Sequence, residues 1–427
     1  MREAFLHYVW KFKKFDFKNL ETSCGMPVSI SQIGKHNETE SGPDFQQAKL
    51  KIGDQLWAGN VEIHLKSSDW YAHGHQNDKA YDNVILHVVW EDDVDVFRSD
   101  QTQIPSLKLQ DYISKKQLNS YLNLFENNKE KWINCENSIS EVDDFKISTW
   151  LERLYIERLE AKNTLILDFL EQSSNNWDEV CFKMLAKNFG LNINGQSFLQ
   201  MANSLDFKVV NKLSENQFQL EALFFGMSGI LNKNHDDVYF EDLKKEFQFL
   251  KQKFQLTSEE NIQVKYFRLR PDNFPNIRLS QLAMLYSKKQ HLFSKLIQSK
   301  TLKNIYEILD VSASNYWDTH YNFGKESKMR PKKLSQNFKD LLIINTLIPL
   351  KFAYSKYKGQ TNFEEDIYPF ISALKSEKNS ITKGFSKLKP KISENALESQ
   401  ALIQLKTNYC DLYKCMKCQI GIDLIKL

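Results

Sequence analysis

The apolar residues change their spacing near residue 112, and this change constrains the fold more than any other feature of the chain. Before it, apolar and polar residues alternate, as in "MPVSISQIG", or run together, as in "VILHVVW" at residues 84–90. After it, they recur every three or four residues, as in "FKISTWLERLYIERLEAKNTLILDFLEQ". Alternation predicts strands, a short apolar run predicts a central strand buried on both faces, and the longer period predicts amphipathic helices. We therefore predict an α+β protein, with a small α/β domain at residues 1–110 followed by a large, mainly α-helical region at residues 111–427.

The N-terminal domain is predicted to begin with a helix and to continue with about four strands. The segment "REAFLHYVWKFKKF" carries a helical stripe, and a turn at Gly53-Asp54 joins two alternating strands into a hairpin. Strand signals are scarce in the later region, where helices are predicted at residues 177–189, 216–231, 240–254, 277–298, 337–357, 363–374 and 393–408.

The composition is typical of an intracellular globular protein. The chain is 41% hydrophobic and 26% charged, as ordinary folded proteins are. Its first residues are charged throughout and lack the apolar core of a signal peptide, and no run of about 18 apolar residues could span a membrane. Six cysteines in 427 residues, three of them near the end, do not resemble a disulfide framework. We expect a cytoplasmic protein in a reducing compartment, with no membrane partner.

Charge is unevenly distributed along the chain. The net charge is +3, but residues 1–133 contain 16 Lys/Arg and 19 Asp/Glu. Residues 322–358 contain nine Lys/Arg and two acids, and Arg268, Arg270 and Arg278 lie in "RLRPDNFPNIRLSQLA". Such cations suit a phosphate-bearing partner. The alternatives are a solvated helix flank for the basic stretch and a structural role for the arginines, which would pin a loop to neighbouring helices.

One strand carries three reactive side chains on the same face. Side chains two apart on a strand point the same way, so Glu62, His64 and Lys66 share a face. Asp44, which follows a Gly-Pro turn, lies on the preceding strand of the predicted hairpin. Two carboxylates on adjacent strands suit Mg²⁺ (or Mn²⁺), with Asp44 and Glu62 as ligands and substrate phosphate oxygens at the remaining positions. His64 or Lys66 would then position or activate a water for attack on phosphorus.

Two other interpretations of this stretch stay open. In the first, Asp44 caps a turn and residues 62–66 form a solvated strand face. In the second, the site holds a different metal, because side chains of metal-ligand type follow the strand at His73, His75, Asp78 and His87. Their spacing approaches the HxHxDH pattern of the metallo-β-lactamase fold but does not match it, since the second histidine is missing and Asp78 comes one place late. His73 and His75 are better interpreted as contacts to phosphate or water, or as ordinary surface residues.

The stretch "SGPDFQQAKLKIGDQLWAGNVEIHLKSSDW" resembles the core of the PD-(D/E)XK nuclease superfamily, a helix followed by a mixed sheet. In that superfamily the Asp of a Pro-Asp pair and a following acid bind metal, and a Lys two residues later contacts the water. Asp44 and Glu62 match the two acids, and Glu3 on the first helix matches an extra acid that many members carry. His64 stands where the lysine is expected. The resemblance covers roughly the first 90 residues and implies a restriction-endonuclease-like domain.

The whole chain is also similar to an uncharacterised bacterial family, domain-of-unknown-function family 2851. The shared features extend over nearly the full length and include "GPDF", "WAGNVEIHLKSSDW", "LEALFFGMSG", "FRLRPDNFPNIRLSQLA" and "YCDLYKCMKCQIG". This resemblance implies a family but no activity.

Three cysteines near the end of the chain form a C-x4-C-x2-C pattern, at Cys410, Cys415 and Cys418. In a reducing compartment this spacing suggests Zn²⁺ or an iron–sulfur cluster more than a disulfide. Such a site needs a fourth ligand, and Cys135, at the junction of the two predicted regions, is the best placed. Packing of the three cysteines around a last helical turn is the alternative. Some PD-(D/E)XK nucleases carry a comparable staple, with different spacings, that holds iron and sulfur.

We therefore expect metal-dependent phosphodiester hydrolysis of a nucleic acid, either DNA or RNA. The residues with expected roles are the metal ligands Asp44 and Glu62, the base His64 or Lys66, and the supporting residues Glu3, His73 and His75. The second hypothesis is a non-catalytic scaffold that binds nucleic acid or protein and keeps a decayed nuclease core, which His64 at the lysine position favours. The sequence leaves endo- or exonucleolytic action and the oligomeric state open.

Overall fold

The protein divides into two compact units. The structure, a computed structural model, describes residues 1–37, 41–125, 131–257, 262–360 and 362–426. The first unit consists of Met1–Leu151, Gly384–Pro390 and Ile403–Leu427, and the second of Glu152–Lys383 and Lys391–Leu402. An N-terminal mixed sheet is followed by a largely helical remainder, so the protein is α+β, as predicted.

The first unit is built around a mixed sheet that has seven strands within the described residues. Its elements in chain order are α1 (Glu3–Lys11), β1 (Leu20–Glu21), β2 (Pro27–Gln32), β3 (Lys35–His36), β4 (Phe45–Ile52), β5 (Gln55–Lys66), α2 (Asp69–Ala72), β6 (Val84–Glu91), β7 (Ser106–Lys108) and α3 (Lys115–Phe125). The strand order is β1-β2-β4-β5-β6-β7, with β3 paired to β4. The predicted number of about four strands was too low, because β1, β3 and β7 are too short to show alternation.

The pairing around β5 determines where the reactive side chains lie. β4 and β5 form the predicted antiparallel hairpin, whereas β5, β6 and β7 run parallel. The first six residues of β6 are buried, which confirms the central strand predicted from "VILHVVW". Gly59 on β5 lets the chain at the start of β6 approach closely, because a Cβ atom at residue 59 would lie 2.6 Å from the carbonyl oxygen of Asn83. The apolar face of α1, which includes Phe5 and Val9, is buried and packs against β5.

Among the described residues of the second unit, the named elements are helices apart from a small hairpin of β8 (His320–Asn322) and β9 (Lys325–Glu326). The helices from the junction of the units onward are α4 (Asp144–Gln172), α5 (Trp177–Phe189), α6 (Leu191–Asn203), α7 (Phe207–Leu213), α8 (Gln217–Met227), α9 (Val238–Phe254), α10 (Pro275–Lys288), α11 (Leu292–Gln298), α12 (Leu302–Ile308), α13 (Gln336–Leu342), α14 (Ile348–Tyr357), α15 (Phe363–Ala373), α16 (Ser380–Leu388), α17 (Ala396–Leu405) and α18 (Gln419–Lys426). Helix α18 belongs to the first unit. None of the helices in the described ranges combines the length and apolar character that a membrane span requires.

Two helix predictions show what sequence periodicity captures and what it misses. The helix at 177–189 is confirmed as α5, with Gly190 at its C-cap. The single helix predicted at 277–298 is wrong, because α10 ends at Lys288 and α11 begins at Leu292. Between them, His291 adopts a left-handed conformation with φ of 52°, which a continuous α-helix excludes.

A buried carboxylate connects the helices of the second unit. Glu221 on α8 is fully buried and accepts hydrogen bonds from Ser280 on α10 and from the indole N–H of Trp317, at 3.0 and 2.6 Å. The hydroxyls of Tyr239 and Ser314 donate to the same carboxylate, at 3.1 and 3.2 Å. Burial raises the pKa of Glu221, and these donors lower it in part. The site explains the structural importance of "LEALFFGMSG", which contains Glu221.

Candidate metal centre

Asp44 and Glu62 are held together by two backbone hydrogen bonds. The Asp44 N–H donates to Glu62 Oε2, and the Ile63 N–H donates to Asp44 Oδ2, both at 3.0 Å. Each carboxylate is thus bound by the backbone beside the other. Burial raises the pKa of Glu62 to about 7; a hydrogen bond from His75 opposes the shift and the charge of Asp44 adds to it. The structure therefore brings Asp44 and Glu62, the two predicted acids, together where the Glu62 carboxyl is largely shielded from water.

Two histidines face the other oxygen of Glu62, and a third lies beside them. The Nε2 atoms of His64 and His75 lie 3.5 and 3.4 Å from Glu62 Oε1. His73 Nδ1 lies 3.1 Å from His64 Nε2. One ligand nitrogen from each of His64, His73 and His75 falls within 4.8 Å of the other two, as the ligands of a single metal ion do.

The loop after β5 positions two of these histidines. Helix α2 is a single turn, and His73 follows at its C-cap. Gly74 then adopts a left-handed conformation with φ of 76°, so the chain turns and His75 also faces the strand. Tyr81 stacks on the His75 ring with a centroid distance of 3.7 Å. The short segment between β5 and β6 therefore positions the imidazoles of His73 and His75 beside the strand.

The buried histidines of the sheet are neutral. His64 Nδ1 lies 2.9 Å from Nε2 of His87 on β6. Burial, together with the neighbouring imidazoles, lowers the pKa of His64 to about 2 and that of His87 to about 3. A neutral imidazole is the form that binds a metal or accepts a proton. The interpretation of residues 62–66 as a solvated strand face is wrong, because Glu62 and His64 are only 4% and 1% exposed.

A second ligand group adjoins the first through Asp44. Ligand atoms of Glu3, His7 and Asp44 lie within 4.8 Å of one another. His7 Nε2 is 3.1 Å from Asp44 Oδ2 and 3.7 Å from Glu3 Oε1. Burial opposes a charge on His7, but hydrogen bonding to Asp44 and Glu3 raises its pKa to about 9. Sequence reasoning missed His7; its four-residue spacing from Glu3 on one helix was the available signal.

Lys66 and Asp78 lie outside these two groups. Lys66 is half-exposed at the end of β5, and its Nζ lies 3.3 Å from Glu91 Oε2. Asp78 accepts a hydrogen bond from the Ala80 N–H at 2.9 Å and so caps a short turn. Of the two predicted bases, His64 is the one in contact with Glu62.

The donor set fits a divalent metal ion. Glu62 and the imidazoles offer one oxygen and several nitrogens, which suit Zn²⁺ or Mn²⁺ better than Mg²⁺. Glu3 and Asp44 add carboxylate oxygens of the kind that Mg²⁺ or Mn²⁺ takes. Mn²⁺ is compatible with both halves of the site.

A family model described as "Protein of unknown function (DUF2851)" matches residues 3–380. The chain belongs to this family. The match contains every residue of the candidate metal centre and ends before the C-terminal cysteines of this DUF2851 protein. Neither the curated proteins nor the solved structures contain a match to the chain.

Four cysteines of the DUF2851 protein line one small cavity in the first unit: Cys135, Cys410, Cys415 and Cys418. Burial raises the pKa of each thiol, and for Cys135 and Cys410 the other cysteines of the set add to the shift. Polar hydrogens point at two of the sulfurs. Asn134 Nδ2 donates to Cys415 Sγ at 3.3 Å, and the backbone N–H groups of Ile420 and Gly421 lower the pKa of Cys418.

The spacing of these cysteines bears on the metal they could hold. In the described residues, no three cysteine sulfurs lie within 4.8 Å of one another. Four sulfurs around a single Zn²⁺ would be separated by about 3.8 Å, given zinc–sulfur bonds of about 2.3 Å. A [4Fe–4S] cluster spreads its cysteine sulfurs to roughly 6–7 Å. The sulfurs of the described cysteines are therefore not arranged as a closed zinc site.

Proposed function

We propose that this DUF2851 protein is a metal-dependent phosphodiesterase that cleaves nucleic acid. The observation that carries the proposal is the pair of Asp44, immediately before β4, and Glu62 on β5, which are joined by two backbone hydrogen bonds, with Glu62 in contact with His64. The order of helix, antiparallel hairpin and parallel strand around them is similar to the core of the PD-(D/E)XK nucleases, and this similarity supports a phosphodiester substrate.

The chain's own residues divide the chemistry between them. A divalent ion bound here supplies Lewis acidity and lowers the pKa of a bound water. Asp44 and Glu62 would hold the ion, assisted by the imidazole nitrogens of His73 and His75. His64, neutral and hydrogen-bonded to His87, can orient that water. Glu3 and His7 would fix the orientation of the Asp44 carboxylate.

Isosteric replacement of the two acids tests the proposal. Purified protein should cut at least one member of a panel of single- and double-stranded DNA and RNA with Mn²⁺, Mg²⁺ or Zn²⁺. Asp44→Asn and Glu62→Gln should each lower the rate by at least about 100-fold while the circular dichroism spectrum is unchanged. Asp54→Asn, at a fully exposed carboxylate in the β4–β5 turn, is the matched control and should cut normally.

The absence of cleavage across the whole panel would favour the second candidate, a nucleic-acid- or protein-binding scaffold with a decayed nuclease core. Its support is the combination of His64 at the expected lysine position with the pairing of Lys66 to Glu91. A scaffold should bind its partner equally well with Asp44→Asn.

We also propose that the four cysteines hold a metal cofactor. Four sulfurs around one cavity in a chain with no disulfide among its described cysteines are a complete ligand set. The N–H groups around Cys418 and Cys415 favour an iron–sulfur cluster over Zn²⁺, because they match the hydrogen bonds that stabilise charged cluster sulfurs.

A further inference from the structure

The second unit contains a strongly cationic pocket of about 600 Å³. Its charged lining residues are Arg270, Arg278, Arg330, Lys332, Lys333 and Asp272. Five cations and one acid thus share a volume in the range of small-ligand sites, which is about 300–1,000 Å³. The pocket is lined by both the arginine-rich segment at the start of α10 and the basic stretch before α13.

Arg278 is the most informative residue of the pocket. It is 4% exposed, and its guanidinium lies over the Phe338 ring at 3.4 Å. Nη1 donates to Gln281 Oε1 at 2.8 Å and Nη2 donates to Asn273 Oδ1 at 2.5 Å. Its buried Nε–H has no hydrogen-bond partner among the described residues. The Arg278 guanidinium is thus held in one orientation, and its Nε–H remains available to donate to an acceptor on a ligand.

No carboxylate neutralises Arg278 directly in the described part of the pocket. The one acid of the lining, Asp272, instead accepts hydrogen bonds from Arg330 and from Tyr321, the latter at 3.1 Å. Lys332 is 2% exposed and donates to two backbone carbonyls, which leaves its charge without an acidic partner. Asp272 acts on both buried cations only through longer-range attraction, so an anion bound in this pocket would give them the close partner that they lack.

We propose that this pocket binds a phosphate group, with its oxygens at Arg278 Nε and between the exposed cations Arg270 and Lys333. Arginine and lysine in convergent positions recognise phosphate through charge-assisted hydrogen bonds. The phosphate belongs either to a free nucleotide, which the pocket is large enough to hold, or to a nucleic-acid backbone. This site is independent of the proposed phosphodiesterase centre, because all of its residues belong to the second unit.

Binding of phosphate compounds to the intact protein tests the assignment. Inorganic phosphate, ATP and a short single-stranded DNA are titrated in EDTA, which prevents cleavage, against wild type and Asp44→Asn. We expect at least one probe to bind both proteins equally. The double variant Arg270→Ala/Lys333→Ala removes two exposed cations, and its affinity should fall by roughly tenfold or more. Arg278→Lys keeps the buried charge but removes the planar fork, and it should also weaken binding.

A double variant at exposed lysines elsewhere in the second unit, Lys208→Ala/Lys212→Ala, is the charge-matched control and should bind as wild type does. Phosphate or ATP binding identifies a nucleotide source, and DNA binding alone identifies a backbone source. The proposal is wrong if no probe binds, or if the pocket and control variants lose affinity to the same extent.

Discussion

Glu62 is the residue on which the candidate metal centre depends most. One of its oxygens accepts the Asp44 N–H, and the other faces the Nε2 atoms of His64 and His75. Burial raises its pKa to about 7, so near neutral pH the protein without a metal holds this carboxyl only partly ionised. A divalent ion would favour the charged form. The raised pKa is therefore a reason to expect a ligand at this position.

The choice between the two candidate bases is a prediction at the scale of single residues. His64 contacts Glu62 from within the sheet, whereas Lys66 pairs with Glu91 at the strand end. We expect His64→Gln to lower the cleavage rate by about 100-fold or more, because the attacking water would lose the group that orients it. Lys66→Met should have a far smaller effect. Single-turnover rates at saturating metal separate this effect from weaker metal binding.

The opposite result, with Lys66→Met inactive and His64→Gln nearly normal, would return the role to the lysine. The control is Lys51→Met, an exposed lysine on the neighbouring strand β4, which should leave the rate unchanged.

At this scale the sequence predicted the acids and the strand histidine because a period of two fixes which side chains share a face. It could not place His73 and His75, since His73 is positioned by the single turn of α2 and His75 by the left-handed Gly74. The spacing of His7 from Glu3 could have indicated it, but its contact with Asp44 could not be predicted, because the helix must first pack on the sheet.

At the scale of elements, Glu221 shows how a buried charge fixes helices to one another. Its carboxylate accepts hydrogen bonds from α8's neighbours at Tyr239, Ser280, Ser314 and Trp317. Four donors that leave water together need a shared acceptor, since an unsatisfied buried donor costs about 1–3 kcal/mol. This requirement accounts for an acid in an otherwise apolar helix.

We expect Glu221→Ala to destabilise the second unit by about 3 kcal/mol or more, because four buried donors lose their acceptor. Glu221→Gln keeps the shape of the side chain and should cost less. Chemical denaturation monitored by tryptophan fluorescence gives the free energy of unfolding. Glu215→Gln, at an exposed acid just before α8, should have no measurable effect.

The raised pKa of Glu221 also predicts that the stability of the protein depends on pH. The pKa of Glu221 is raised in the folded state, so the folded protein binds more protons than the unfolded chain between the ordinary carboxyl pKa and the raised one. Stability should therefore fall as pH rises through that window in the wild type. Glu221→Gln should remove this part of the slope. An unchanged slope would show that Glu221 has an ordinary pKa.

Helices were predicted well from the sequence where one apolar stripe faces a core, as in α5. Predictions failed at the ends of elements, where a single residue such as His291 changes the direction of the chain. Very short strands were missed because their identity is set by the neighbour that they pair with, as β3 is by β4.

At the scale of the whole molecule, the path of the chain is the main feature. After Leu151 the chain leaves the first unit, and it comes back to that unit at Gly384–Pro390 and Ile403–Leu427. Periodicity gives no information about such returns, because it describes only local segments. The one sequence signal for the second return was the set of cysteines, since a shared ligand site requires Cys135 to meet the terminal three.

Loss of the cysteine cofactor should therefore act on the first unit. Protein purified without oxygen should contain iron and acid-labile sulfide and show the visible absorption of an iron–sulfur cluster. Cys135→Ser should lose both, because three thiolates cannot complete the site. Metal-binding energy is folding energy, so this variant should also expose the segment from Ile403 to limited proteolysis. Helices α5–α14 of the second unit should keep their protection.

The control for this experiment is Cys24→Ser, which removes an exposed cysteine of the same unit that lies outside the cavity. It should keep full iron content and the wild-type cleavage pattern. Zinc without iron would overturn the cluster assignment and indicate a closed site with sulfurs about 3.8 Å apart. Metal-free protein with an intact C-terminal segment would mean that packing alone holds the return of the chain. In that case Gly421 would be its critical residue, because a side chain there would lie 2.3 Å from the carbonyl oxygen of Cys415.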